Sequence, residues 1–311
     1  MKNTYLSHDS SIDDFVAMLC LLAMDDVRIT GIGVINADGY IDPGVSVTRK
    51  IADLYGKYPI EVAASCARPV NQFPRIWREE AYRIDSLPIL NDLDELRTPL
   101  VKEVAHKHMI AKIRAEKEKT TVFAIGPLSD LAMAVKEAPD IIPRIERLIW
   151  MGGSFSSHGN VVQPDHDGSA EWNAFWDPPA VAEVFSSGID ITMVPTRVTD
   201  KCPWKREMNQ QWSLERKYEV LDLCGQMYAG VTNLSPYYFW DTLAAAYYGK
   251  PDLATVIDVE CEVHIAGRSR GRIEEKNGGK KVTILDTVNP DAVFEYVTAL
   301  LKSFGYNRYM A

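Results

Sequence analysis

The sequence predicts a single α/β domain over residues 1–311, a mostly parallel, doubly wound sheet with flanking helices. Three observations predict it. Short β-branched or apolar runs alternate with amphipathic helical stretches through most of the chain. Neither an internal repeat nor a composition shift marks a linker. A chain of 311 residues is long enough to bury a sizeable core.

Residues 4–6 end a first strand, and a helix over 12–24 follows, its acidic start at Asp13-Asp14 suiting the positive end of the helix dipole. The β-branched run 27–35 is a second strand. Asp42-Pro43 reads as an N-cap with proline at the first helical position, opening a helix to about Tyr55. Residues 60–64 make a third strand. A polar and aromatic excursion over 65–98 then breaks the rhythm. Loops of that length are uncommon unless they are functional or carry small helices. Beyond it come a helix over 100–119, a strand over 121–125, a turn at Gly126-Pro127-Leu128-Ser129-Asp130 into another helix, and a strand over 147–151. A second excursion, 152–176, leads to a helix over 178–186 and a strand over 189–194. Near the C-terminus the runs 259–265 and 282–285 pair around Asn277-Gly278-Gly279, and Asn289-Pro290 begins a last helix.

Hydrophobic content of 46% and charged content of 25% are those of an ordinary globular protein. A net charge of −9 argues against a broad nucleic-acid footprint, which needs basic surface to displace counterions. The basic group Arg268, Arg270, Arg272, Lys280 and Lys281 reads as the charged edges of a solvated hairpin. No apolar run is long enough to span a bilayer, and Met1 to Leu6 is too short and polar for a signal peptide. The five cysteines are odd in number, widely spread and without paired zinc spacing, which predicts a reducing compartment and no disulfides. Cys20, in an apolar helical run, is a small buried hydrophobe. The expectation is a cytoplasmic protein without membrane or nucleic-acid partners.

The chemistry concentrates where the first strand runs into Ser7-His8-Asp9-Ser10-Ser11-Ile12-Asp13-Asp14. Two readings fit these acids. Asp13 and Asp14 serve as helix-capping charges with Asp9 in a turn, or the group holds a hard cation, which wants several oxygen ligands. Mutually repelling carboxylates at one sheet edge favour the second, because a cation compensates them. Ligands of parallel sheets bind beyond the carboxyl ends of the strands, where this segment lies.

Residues 7–18 resemble the Asp-rich N-terminal signature of the nucleoside hydrolases. The likeness covers nearly the whole chain. Ile125-Gly126-Pro127-Leu128-Ser129-Asp130-Leu131-Ala132 resembles their Thr-Gly-Pro-Leu segment, and Met151-Gly152-Gly153 their Met-Gly-Gly strand end. Asn160, Ala170-Glu171-Trp172-Asn173 and Asp177-Pro178 match a further block, and Trp240-Asp241 the last. One acidic motif is weak, whereas five blocks in order are specific. The excursion with Phe73-Pro74, Trp77 and Leu87-Pro88-Ile89-Leu90-Asn91, together with tryptophan before the C-terminal aspartate, is similar to the purine-preferring branch. Pyrimidine-accepting relatives generally carry histidine at that position and a His-Gly motif in the excursion.

The resemblance implies a calcium ion held by the carboxylates of Asp9, Asp14 and Asp241 and the backbone carbonyl of Ile125. It implies Asp13, Asn160, Glu171 and Asn173 at the ribose hydroxyls, and a homo-oligomer, a dimer being favoured. N-glycoside cleavage passes through an oxocarbenium-like transition state, so it needs an activated water, stabilised positive charge and a less anionic leaving base. A Ca²⁺-bound water beside Asp9 supplies the first, with Asp9 accepting the proton, and the surrounding carboxylates supply the second. Stacking between Trp77 and Trp240, worth about 1–3 kcal/mol per base in nucleic-acid proteins, holds the purine and favours its protonated form. Asp38, with Asn36 as its neighbour, is placed to touch base or sugar, and Trp172 divides between packing and base contact. His8 alternates away from Asp9, and His158 and His166 read as polar loop residues.

Two departures stand out. The family has aspartate where this chain has Ser7, and close purine-preferring relatives have asparagine where it has Ser11. Three other readings stay open at this level: a pyrimidine-preferring or nonspecific nucleoside hydrolase, a Mg²⁺ phosphohydrolase, and a non-catalytic nucleoside-binding relative.

Overall fold

The alternation of strand and helix produces one nine-stranded sheet, seen in a computed structural model that describes residues 1–92, 95–230 and 236–306. Residues 93–94, 231–235 and 307–311 of the predicted domain lie outside the described residues. The strands are β1 (Lys2–His8), β2 (Val27–Val34), β3 (Val62–Ala64), β4 (Thr120–Ala124), β5 (Ile145–Met151), β6 (Ile191–Val194), β7 (Ala254–Val263), β8 (Ile273–Glu275) and β9 (Lys280–Val288). In the first half the helices are α1 (Ile12–Ala23), α2 (Ile41–Tyr55), α3 (Arg75–Arg78), α4 (Glu80–Asp85), α5 (Ala105–Ala115) and α6 (Ser129–Glu137). The second half adds α7 (Trp172–Trp176), α8 (Pro178–Ser186), α9 (Thr196–Thr199), α10 (Arg206–Leu214), α11 (Glu219–Ala229), α12 (Trp240–Gly249) and α13 (Pro290–Lys302).

The strand order is β3-β2-β1-β4-β5-β6-β9-β7-β8. All neighbours from β3 to β9 are parallel, whereas β7 runs antiparallel to both β9 and β8. Every residue of β4 is buried, as a strand covered on both faces requires. Its side chains alternate between two cores. Phe123 joins Leu6, α1, α2, α12 and α13 on one face, and Val122 and Ala124 join Tyr5, α5, α6 and α8 on the other. The order reverses direction between β1 and β4, and such a switch point opens a crevice at the carboxyl ends of the strands.

The predicted elements are present, with local corrections. Helix α2 starts at Ile41 with Tyr40 as its N-cap, so Asp42 and Pro43 sit inside its first turn. The helix expected over 100–119 is trimmed to α5, because Leu100 bridges to Val62 and Val101 N–H donates to Val62. The runs 259–265 and 282–285 do pair, as β7 and β9. The turn at Asn277-Gly278-Gly279 nevertheless joins β8 to β9, which are not neighbours because β7 lies between them. The basic group is only partly solvated. Arg270 lies 5.0 Å over the Phe175 ring, pairs with Asp165 at 2.7 Å and donates to Asn71 at 2.8 Å, tying the β7–β8 loop to α7. All five cysteines are free, and Cys20 is fully buried. No helix among the described residues is long and apolar enough to cross a membrane.

Candidate active site

Strand β1 delivers His8 to the sheet edge, and the chain then reverses through Ser10 in a left-handed conformation, φ +76°. That turn is clamped from the β2 side. Gly39 N–H donates to the Asp9 carbonyl at 2.6 Å, and a Cβ on Gly39 would come within 2.6 Å of Ser10 Cβ. The next residues begin α1, so Asp13 and Asp14 point back into the crevice from its first turn. Asp14 accepts from the backbone N–H of Asp9 at 3.0 Å and of Ser11 at 2.7 Å. The Ser11 hydroxyl donates to Asp13 at 2.6 Å, which gives that departure a structural role. From the far end of the chain, Asp241 enters on the first turn of α12 and donates its N–H to Asp13 at 3.1 Å.

Asp13, Asp14 and Asp241 thereby bring carboxylate oxygens within 4.8 Å of one another, all buried. Asp9 stands beside this trio, its carboxylate accepting from Asp38 N–H at 3.3 Å. Burial raises the pKa of all four, and mutual repulsion adds to it for Asp9 (from Asp14 and Asp38), Asp14 (from Asp13) and Asp241 (from Asp13, Asp14 and Asp9). Among the described residues no lysine or arginine pairs with them, and Asp241 Oδ1 is buried without a hydrogen-bond partner. An all-oxygen donor set with an orphaned carboxylate oxygen fits a hard divalent cation. Ile125, just beyond β4, is buried against β1 and donates to Ser7 at 2.9 Å. The structure thus draws Asp13, predicted at the ribose, into the acid group itself.

His8 lies behind these acids. Its Nδ1 is 3.9 Å from Asp14, its Nε2 meets Thr48 at 3.0 Å, and burial lowers its pKa to about 3, so it stays neutral. His158 is exposed, whereas His166 is buried and bonded to the Arg270 carbonyl.

Across the crevice, Glu171 caps α7, accepting from the N–H groups of Asn173 at 2.7 Å, Ala174 at 3.1 Å and Gly153 at 2.9 Å. Burial still pushes its pKa up to about 7. Asn173 donates to the Met151 carbonyl at 3.1 Å, and Asn160 accepts from Trp172 N–H at 3.1 Å. This group therefore hangs over the end of β5. Trp77 is half-buried, edge-on to Trp172 at 5.2 Å, and Phe73 completes the wall at 5.0 Å from Trp172. Trp240 belongs to a different aromatic group, 4.8 Å from Tyr237 and 5.5 Å from Tyr238.

Sequence reasoning missed three residues here. Tyr237 donates to Asp13 at 3.1 Å. Glu80, its pKa raised to about 7 by burial, adds charge beside Asp38. Arg78 is buried between α3 and the β2–α2 loop. The only local signal was proximity to Trp77 and Trp240, since their partners are distant in the chain. An open groove of about 590 Å³, lined by Glu146, Arg147, Asp190, Asp258 and Lys281, lies at the opposite edge, where β5, β6 and β9 begin.

The family model for inosine-uridine preferring nucleoside hydrolases matches residues 4–295. The chain belongs to that family. The crystal structure of an inosine-uridine preferring nucleoside hydrolase from Bacillus anthracis superposes with a TM-score of 0.95 at 46% identity, covering 97% of this chain and 100% of that one. Uridine nucleosidase 1 of Arabidopsis thaliana is 24% identical over 94% of this chain and 91% of its own length. Probable uridine nucleosidase 2 of Oryza sativa subsp. japonica is 27% identical over 64% of this chain, but the match spans only 57% of that relative. The mixed α/β fold and its mostly parallel sheet are shared with that solved nucleoside hydrolase.

Proposed function

We propose that this nucleoside hydrolase cleaves the N-glycosidic bond of purine ribonucleosides to free base and ribose, using calcium. The supporting observation is a buried, uncompensated carboxylate group, with Asp241 Oδ1 unpartnered, at the switch point of the sheet. Asp9, Asp14, Asp241 and the Ile125 carbonyl would hold the ion, and Asp13 now joins them as a candidate. Bound calcium supplies a fixed divalent charge that orients and acidifies water.

Asp9 accepts a proton from the attacking water at a carboxylate oxygen. Asn160, Glu171 and Asn173 orient the ribose hydroxyls, with Glu171 and Asn173 held rigidly by their backbone bonds. The surrounding carboxylates favour positive charge developing on the sugar. Trp77 and Trp240 present aromatic surface to the base, with Asn36 and Asp38 at its edge, and the buried Trp172 backs Trp77. The leaving purine takes its proton from solvent, so no dedicated acid is required. Hydroxide is thereby added at the anomeric carbon and a proton at the base.

A broader inosine and uridine specificity is the second reading, favoured by what the relatives named above are said to act on. Rates of base release from inosine, adenosine, guanosine and uridine separate the two. Purine nucleosides faster than uridine support the proposal, and uridine faster than inosine overturns its purine part. The proposed particle is a homodimer, which sedimentation tests. The unpaired cysteines suit the proposed cytoplasmic location.

A further inference from the structure

Arg78 has an environment that packing alone does not require. It is 8% exposed and makes no ion pair among the described residues. Its Nε donates to the Ala37 carbonyl at 3.0 Å and its Nη2 to Asn36 Oδ1. The guanidinium carbon lies over the Tyr40 ring, 4.3 Å from its centroid. The Gln72 side-chain amide also faces the guanidinium, and turning that amide over places its oxygen 2.5 Å from Nη1 and 3.1 Å from Nε as an acceptor. The Arg78 carbonyl in turn accepts from Tyr40 N–H at 3.3 Å.

These bonds join two segments far apart in sequence. One is the β2–α2 loop, with Asn36 and Asp38, and the other is the excursion that carries Trp77 beside Arg78 itself. Both segments bear residues assigned above to the nucleobase, and neither belongs to the regular sheet. Helix α3 is a single turn, too short to hold an indole in place by itself. The fork of guanidinium donors is suited to bridging several acceptors in one plane, which an ammonium does not do.

We propose that Arg78 is a positioning residue for the nucleobase, latching the Trp77 segment to the Asn36–Asp38 loop so that the base meets a preformed wall. This rests on the nucleoside-hydrolase reading of the site and deepens it. Arg78 does not touch the ribose group at Glu171 and Asn173, so its effect separates base from sugar.

The test compares wild type, Arg78→Met and Arg78→Lys with inosine and with p-nitrophenyl β-ribofuranoside, which lacks a purine. Calorimetry with inosine and with free ribose runs alongside. The expected result for Arg78→Met is a KM and Kd for inosine raised about tenfold, as expected from losing charged hydrogen bonds. Its KM for the nitrophenyl riboside and its Kd for ribose stay within about twofold of wild type. Arg78→Lys, which keeps the charge without the fork, recovers part of the loss. It also supplies the reading if the methionine variant does not fold. Equal losses on both substrates, or lost kcat with unchanged KM, overturn the proposal by assigning Arg78 a purely structural role. A wild type that binds inosine without cleaving it refutes the hydrolase reading while leaving the latch readable by calorimetry. A wild type that binds neither inosine nor ribose overturns both.

Discussion

Asp241 is a buried carboxylate facing Asp13, Asp14 and Asp9 with one oxygen unpartnered. Its N–H holds Asp13 in place, so the backbone contact survives a change of side chain. Asp241→Asn should therefore relieve repulsion and raise the melting temperature in chelator. It should also weaken calcium binding by at least about 10-fold, since losing even an outer partner of a metal ligand costs about 10–100-fold. Differential scanning calorimetry with and without calcium checks both, and an unchanged apo melting temperature contradicts the repulsion argument. Ser10 tells a second story at this scale. Its φ of +76° costs about 1–2 kcal/mol for a residue with a Cβ, whereas glycine gives back about 0.5–1 kcal/mol in unfolded-chain entropy. Ser10→Gly should stabilise by about 0.5–1 kcal/mol in urea unfolding, and a destabilised variant would show that the Ser10 side chain contributes to the turn. The sequence made Asp9, Asp14 and Asp241 legible through their motifs. Tyr237 and Arg78 were not legible, because a phenol and a guanidinium serve packing as readily as function, and only three-dimensional neighbours distinguish the two.

Among the elements, period and length were easiest to read in β2 and β4, whose β-branched and apolar runs are bounded by turns, and in α13, whose Asn289 cap accepts from Ala292 N–H at 3.2 Å. Boundaries failed where tertiary pairing overrode local preference. Leu100 was drawn into a bridge with Val62 instead of opening α5, and Asp42-Pro43 gave way to Tyr40 as the α2 cap. Strand order at the C-terminus was invisible because a tight turn predicts adjacent strands, and here β7 intervenes. The loop between β7 and β8 also acts as a buttress. Gly271 has φ +87°, and a Cβ there would meet Phe175 Cα at 2.5 Å, two residues beyond Asn173. Gly271→Ala should destabilise by about 2–3 kcal/mol through strain and overpacking. It should also raise KM through the displaced α7. Urea unfolding and steady-state kinetics check this, and a variant with wild-type stability would remove the buttress.

At the scale of the whole molecule, the doubly wound order carries the site. Segments around residues 9, 37, 125, 171 and 241 meet because β2, β1, β4 and β5 end at one edge and α12 packs against α1. The alternating pattern predicted this crevice, while the particular meeting of Asp13 with Asp241 required long-range packing of α1 on α12. Stability should also carry a pH signature from Asp130, buried under α5 with Oδ2 unpartnered and its pKa raised by burial to about 7. The native carboxyl then keeps a proton that the unfolded chain loses from about pH 4 upward, so its contribution falls as pH rises through 7, by at most about 1.4 kcal/mol per unit. Asp130→Asn should flatten that slope in unfolding measured from pH 4 to 8, and an unchanged slope would refute the assignment.

The most direct test of the proposed calcium dependence is hypoxanthine release from inosine, followed on one purified sample before chelation, after chelation and after calcium is restored. The arrangement at Asp9, Asp14 and Asp241 predicts release that stops on chelation and returns with calcium. Absence of release throughout, or release indifferent to chelation, would contradict it.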